Sequence, residues 1–202
     1  MQILKYPLDI DLTANEGHTT LAGKFLIASP FCQFNEMYSK SVIYVASHAK
    51  HGSVGMIINH LINKMSSKHL LTMLRDETEI SDLIIPVCLG GPVEPERGFI
   101  LHTKDYARNV LFSLNDKLNV SSNVDILKDM ASGHGPQKSL FVMGYTGWEP
   151  GQIEKEIESN LWIVADSDYD LIFNEKHDIK WKTALSSLGI SENMFCSQTG
   201  RA

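Results

Sequence analysis

Short apolar runs recur along most of this chain, separated by polar residues, glycine or proline. Runs that are rich in Val, Ile, Leu and Phe and bounded by turn-forming residues are typical of β-strands. The pattern predicts seven strands, at 21–28, 41–47, 54–59, 83–89, 98–102, 139–145 and 161–165. Three of them come before residue 60 with no crossover helix between them, so some must pair antiparallel. A mixed sheet in an α+β fold follows.

Four other stretches carry apolar residues at helical spacing. Helices are predicted to begin at Ser122, with Gly133 as the stop; after Trp148, with Pro150 at the first helical position; and at Asp178, with Gly189 as the stop. A weaker pattern predicts a fourth helix over 66–77, with Leu70, Leu71 and Leu74 facing inward. Helices therefore accompany the strands along the chain.

The chain contains no internal repeat, low-complexity tract or linker rich in Pro, Gly or Ser. We therefore expect one domain over residues 19–190. Residues 1–18 are polar and rich in turn formers, which predicts an N-terminal arm, and residues 191–202 are predicted to form a C-terminal tail.

Composition and charge narrow the class of protein. The 202 residues include 18 Lys and Arg against 24 Asp and Glu, a net charge of −6. Binding to nucleic acid requires a basic surface, so this balance argues against DNA or RNA as the partner. The three cysteines, Cys32, Cys88 and Cys196, form no C-x-x-C pair and indicate neither a disulfide framework nor a zinc ribbon.

The expected location is the cytoplasm, because isolated cysteines suit a reducing compartment. Residues 1–20 lack the apolar run of a signal peptide. The apolar runs are also far shorter than the roughly 20 residues that span a bilayer, so no membrane insertion is expected.

Motifs of familiar chemistry are missing from the sequence. It has no phosphate-binding loop, dinucleotide fingerprint, H-E-x-x-H zinc motif or G-x-S-x-G elbow. His48 and His51 are the closest histidine pair, but no nearby carboxylate completes a metal site. This favours polar turn residues or a hydrogen-bonded histidine over metal ligands. The sequence therefore predicts no catalytic residue, no metal and no cofactor.

The segment from Gly90 to His102 is the first candidate ligand site. A predicted strand ends in the turn Gly90-Gly91-Pro92, and Arg97 and His102 bracket the next apolar run. In one interpretation the paired glycines let a ligand approach the backbone, while Arg97 and His102 supply polar contacts. In the other, which we favour, local hydrogen bonds satisfy both side chains.

Gln152 and Glu156 complete the candidate set. Their spacing of four places them on one face of the helix predicted after Trp148, where they could contribute to the same pocket. The competing interpretation, a packing helix with a solvated acidic face, is again the favoured one.

Several blocks of residues resemble the YqgE/AlgH family of bacterial proteins. They are 21–30, 40–44, 48–52, 55–59, 90–93, 97–102, 144–148, 151–154, 160–162, 181–185 and 188–190. The resemblance spans nearly the whole predicted domain, and the chain departs from it at Ser47, at His60-Leu61 and between residues 32 and 38. It implies a mixed, strongly bent or bifurcated sheet with a barrel-like part, surrounded by helices. It implies no reaction, and the transcriptional-regulator label carried by some members fits poorly with the acidic charge.

The leading hypothesis is a non-enzymatic regulatory or interaction protein that acts through a protein partner or a small ligand. It is favoured because the sequence contains no arrangement of nucleophile, base and orienting residue. The alternative is a small-molecule or nucleotide-binding protein, or an enzyme, with a pocket near the Gly90–His102 turn. Regulation by direct DNA binding ranks last.

Overall fold

The computed structural model describes residues 20–30, 35–73, 76 and 78–191. The predicted arm, nearly all of the predicted tail, Cys32 and Cys196 lie outside these residues. The described residues form ten strands and five helices.

The strands include all seven that the apolar runs predict, with shifted ends. They are β1 (Lys24–Ala28), β2 (Val42–Ala49), β3 (Gly52–Ile57), β4 (Leu61–Ser66), β5 (Ile84–Leu89), β6 (Val93–Thr103), β7 (Phe112–Ser113), β8 (Leu118–Ser121), β9 (Ser139–Trp148) and β10 (Trp162–Asp166). The helices are α1 (Ser67–Met73), α2 (Val124–Ala131), α3 (Gln152–Glu158), α4 (Tyr169–Ile172) and α5 (Lys180–Ser187). Three strands, β4, β7 and β8, were not predicted.

β9 joins the two parts of the sheet. The strand order is β10-β1-β2-β3-β9-β6-β8-β7, with neighbours antiparallel, and β5 pairs parallel with β9 and antiparallel with β4. Residues 146–148 of β9 pair with β3, whereas residues 139–143 pair with β6. The sheet therefore branches along β9 and curls into a half-barrel, which confirms the α+β class with a mixed, bent or bifurcated sheet.

Helices cover both sides of this sheet. α5 packs Trp181, Ala184 and Leu185 into the largest apolar cluster, together with residues of β1, β2, β6 and β9. α3 adds Ile153 to a second cluster. α1 and α2 cover the branch that contains β5, in a third cluster.

The caps of two helices differ from the prediction. α2 is capped by Asn123, whose Oδ1 accepts from the Ile126 N–H at 3.1 Å, while the Ser122 hydroxyl donates to the Gly98 carbonyl. Asp178 lies inside a short 3-10 turn, His177–Ile179, that precedes α5. Gly189 has a φ of 72° just after that helix, as its predicted role as a stop requires.

Two further helices begin later than expected. α3 starts at Gln152 behind Gly151, which has a φ of 74°, so Pro150 precedes the helix. α1 starts at Ser67 because Ser66 belongs to β4. Leu70 and Leu71 are buried as predicted, and Leu74 lies outside the described residues.

Candidate functional site

The paired glycines of the first candidate segment lie against β9. The Gly90 N–H donates to the Met143 carbonyl at 2.7 Å. A Cβ at Gly90 would stand 2.2 Å from the Gly144 oxygen, and one at Gly91 would stand 2.3 Å from the Tyr145 backbone. Only glycine permits this approach of two backbones.

A wide β-bulge follows directly. The β6–β9 register passes from Val93 opposite Tyr145 to Gly98 opposite Met143, so residues 94–97 face Gly144 alone. Residues 93–96 are exposed, whereas Arg97 is 6% exposed. The bulge therefore turns Arg97 inward, since a bulge redirects the side chains that it carries.

Arg97 has both a partner and an unsatisfied edge. Its Nη1 donates to Glu94 Oε2 at 2.9 Å, and its guanidinium carbon lies 5.0 Å from the centre of the Phe99 ring. Nε and Nη2 are buried and have no acceptor among the described residues. The Tyr145 hydroxyl donates to Glu94 Oε1 at 3.3 Å, and burial together with that carboxylate raises the pKa of Tyr145.

His102 is a fully buried link between β6 and β8. Its Nε2 lies 2.9 Å from the Ser121 hydroxyl, its Nδ1 lies 2.9 Å from the Thr103 carbonyl, and Tyr106 packs edge-on against the ring. Burial lowers the pKa of His102, so the ring is neutral at neutral pH.

Glu156 and Gln152 do share a helix face, and the face is turned toward two tryptophans. Glu156 Oε2 accepts from Trp148 Nε1 and from Trp162 Nε1, each at 2.7 Å. Its Oε1 accepts from Gln152 Nε2 at 2.9 Å, and Gln152 Oε1 accepts from the Glu149 N–H. The pair thus fastens α3 to the sheet.

The six candidate residues fall into three neighbourhoods. Gly90, Gly91 and the Arg97 bulge surround Gly144, where an added Cβ would meet the Gly91 and Val93 carbonyls and Pro95. Gln152 and Glu156 contact the tryptophans, and His102 contacts Ser121. A ligand role for any of them stays a prediction.

Sequence reasoning missed a buried cluster under β5. Lys180 is 0% exposed, and its Nζ donates to the Ile58 carbonyl at 2.9 Å and to the Ile172 carbonyl at 2.7 Å. Cys88 Sγ lies 3.4 Å from His177 Nδ1. The one available signal is the spacing of four from Lys180 to Ala184, which places the lysine on the buried side of α5.

Burial controls the protonation of this cluster. Desolvation lowers the pKa of Lys180 to about 8 and raises the pKa of Cys88 to about 11. Desolvation and the Lys180 charge also lower the pKa of His177. At neutral pH the thiol is protonated, which leaves it a poor nucleophile.

A groove of about 560 Å³ opens beside His177. It lies between the beginnings of β5 and β9, with Ile84, Pro86 and Phe173 among its apolar walls. Lys138, one of its polar residues, is already paired with Asp170. Gln137, Asn174 and Glu175 are further polar residues of its lining.

β4 is an edge strand. Within the described residues it pairs with β5 alone. Leu61 and Ile62 are 42% and 54% exposed, and Lys64 is exposed beside them. Such an edge is a template on which another strand can pair.

The described residues contain neither a candidate membrane-spanning helix nor a candidate metal cluster. No helix there is long and apolar enough to cross a membrane. No group of three His, Cys, Asp or Glu side chains there could hold a metal. His48 instead contacts the Ser53 hydroxyl at 2.9 Å and Glu154 at 3.4 Å.

Comparison with known proteins gives a consistent match. A family model described as AlgH-like matches residues 25–193. UPF0301 proteins of Rickettsia typhi and Rickettsia prowazekii are each 45% identical over 182 residues, which covers 90% of this chain and 96% of each relative.

Solved structures agree with the sequence matches. The solution structure of the AlgH protein from Pseudomonas aeruginosa superposes with a TM-score of 0.73 at 30% identity, over 92% of this chain and 98% of that one. A crystal structure of a protein from Corynebacterium diphtheriae has a TM-score of 0.64 at 16% identity, over 87% and 91% of the two chains. The second likeness concerns the fold alone.

Proposed function

The chain belongs to the AlgH-like family, and we propose that within it this protein acts as a non-enzymatic interaction protein, binding an extended segment of a partner protein along the outer edge of β4. The observation that carries the proposal is the exposed, partly apolar edge of that strand. Binding by strand addition obtains its affinity from main-chain hydrogen bonds and its specificity from alternate side chains.

The backbone of β4 supports this mode of binding. The Ser67 N–H donates to the Leu83 carbonyl, and Ser66 and Lys64 stand opposite Ile84 and Pro86. Backbone groups of an antiparallel strand alternate in direction, so those of Lys64 and Ser66 point away from β5. The Lys64 carbonyl and the Ser66 N–H are available to one more strand. The Lys64 N–H donates to Asn63 Oδ1 at 2.8 Å, an exposed contact that an added strand would replace, and the Ser66 carbonyl, directly before α1, accepts the first hydrogen bond of that helix.

The charge of the edge indicates the chemistry of the partner. Residues 60–69 contain Lys64 and Lys68 but no Asp or Glu, in a chain whose net charge is −6. Neither lysine forms an ion pair within the described residues. Successive residues of a strand point to opposite faces, so a segment that alternates apolar and acidic residues would place its carboxylates on the face of Lys64 and its apolar side chains on the face of Met65.

A second copy of this chain is a poorer occupant of the same edge. Pairing β4 with itself would bring two lysine-containing segments together, and like charges across neighbouring strands are destabilising. A different protein with an acidic segment avoids that cost.

The first prediction concerns Lys64→Pro. Proline lacks the N–H that an added strand needs, yet it is tolerated on edge strands. The probe is a peptide of three Val-Glu repeats with blocked ends, added in an NMR titration. Binding to the native protein should slow the hydrogen exchange of the Lys64 and Ser66 amides. Lys64→Pro should weaken binding at least tenfold.

Lys64→Gln is the matched control, because it removes the charge and keeps the N–H. It should weaken binding only a few-fold, and a peptide of three Val-Lys repeats should bind poorly. Equal binding by the proline and glutamine variants would overturn the proposal. Slow hydrogen exchange of the Lys64 and Ser66 amides in the absence of peptide would also overturn it. In that case the occupant of the edge would be a segment of this chain with the same alternation, Leu8-Asp9-Ile10-Asp11-Leu12.

A further inference from the structure

The unsatisfied edge of Arg97 is a second site, independent of β4. The side chain is 7% exposed, and two of its three nitrogens, Nε and Nη2, have no acceptor among the described residues. A buried N–H donor without an acceptor is costly, because it gives up its hydrogen bond to water and forms no other in exchange. We propose that this edge binds a carboxylate group of a small ligand.

The geometry of the guanidinium specifies the shape of the ligand group. Nε and Nη2 lie on the same edge, while Nη1 is engaged by Glu94 on the other side. Two parallel N–H donors on one edge match the two oxygens of a carboxylate or phosphate in a bidentate contact. The site therefore recognises a planar pair of oxygens.

Charge selects the carboxylate over the phosphate. Arg97 and Glu94 already form a neutral pair, and Glu96 is exposed on the same bulge. A carboxylate adds one negative charge beside Glu94, whereas a phosphate near neutral pH adds between one and two. The rings of Phe99 and Tyr145 pack edge to face at 6.0 Å, and Phe99 lies against the guanidinium, so the surroundings of the site are apolar.

A ligand would reach this edge by displacing the bulge. Residues 94–97 face a single residue of β9, so three of them have no place in the ladder and can move without breaking strand pairs. Residues 93–96, which precede Arg97, are all exposed. Gly90 and Gly91, in the preceding turn, pack tightly against β9.

The test is a titration of the whole protein with sodium acetate, with sodium chloride as the ionic-strength control. The readout is the Arg97 Nε–H resonance, which is readily assigned because the chain has four arginines. We expect a saturable shift with acetate that chloride does not reproduce. Arg97→Lys keeps the positive charge but loses the two parallel N–H donors, and it should weaken acetate binding at least tenfold.

Glu94→Gln makes the test sharper because it removes the competing carboxylate. Acetate binding should become about three- to tenfold tighter in this variant, while Arg108→Lys, at an exposed arginine, should leave it unchanged. An absent or non-saturable shift in the native protein would overturn the site. Saturation by inorganic phosphate and not by acetate would overturn the choice of carboxylate. Lys64→Pro should bind acetate normally, which separates this result from the strand-addition proposal.

Discussion

Replacing Glu156 by alanine is expected to lower the free energy of unfolding by about 3–5 kcal/mol, the largest effect we predict for a single change. The indole N–H groups of Trp148 and Trp162 both donate to one oxygen of this side chain. Both tryptophans are buried, at 7% and 3% exposure. Each stranded donor costs about 1–3 kcal/mol, and the contact that ties α3 to the sheet is lost as well.

Chemical denaturation monitored by tryptophan fluorescence measures this effect. Glu158→Ala, on an exposed position of the same helix, should change stability by less than about 0.5 kcal/mol. Glu156→Gln retains an acceptor oxygen and should recover part of the loss. A Glu156→Ala protein as stable as the Glu158→Ala protein would contradict the structural role of this carboxylate.

The second large effect is a pH dependence due to Lys180. Burial lowers its pKa from 10.5 to about 8, so between these values the unfolded chain binds a proton that the folded protein does not. Stability therefore rises with pH across this window and is lower below it. A difference of this size corresponds to roughly 2–4 kcal/mol.

Lys180→Met isolates that contribution. The buried tyrosines and Cys88, whose pKa is raised to about 11, act in the opposite direction at high pH. Because the Cys88 thiol interacts with the Lys180 charge, the comparison is limited to pH 7 to 9.5, where the folded thiol is protonated in both proteins. In this range the stability of the native protein minus that of the variant should increase with pH. Lys182→Met, which removes an exposed lysine from the same helix, is the control, and the increase with pH should be larger for Lys180→Met. A flat difference for Lys180→Met would show that its amine titrates normally.

Most strand positions could be predicted from the sequence, and the strands that were not predicted have physical reasons for it. The seven predicted strands are continuous apolar runs because most of them are covered on both faces. β4 was not predicted because half of its residues, Leu-Ile-Asn-Lys-Met-Ser, are polar. An edge strand is exposed to solvent and does not require a continuous apolar run. β7 and β8 have two and four residues, too few for a period to emerge.

The candidate site shows where such reasoning stops. The shared helix face of Gln152 and Glu156 follows from their spacing alone. The burial of Arg97 follows from a register shift between β6 and β9, strands more than 30 residues apart, which local patterns do not encode. Lys180 likewise depends on carbonyls of Ile58 and Ile172 that tertiary packing brings to it. Sequence spacing identified polar residues, and only the fold showed which of them lack partners.

The pairing of β1 with β10 constrains how the protein is made. Lys24 stands opposite Asp166, so β1 can pair early with β2 but cannot pair with β10 until more than 140 further residues have been synthesised. β9, which joins both parts of the sheet, also emerges late. Contacts between such distant segments slow folding because the intervening chain must be ordered first. The nascent chain therefore carries exposed β-strand edges through most of its synthesis, which makes chaperone protection most valuable before translation ends.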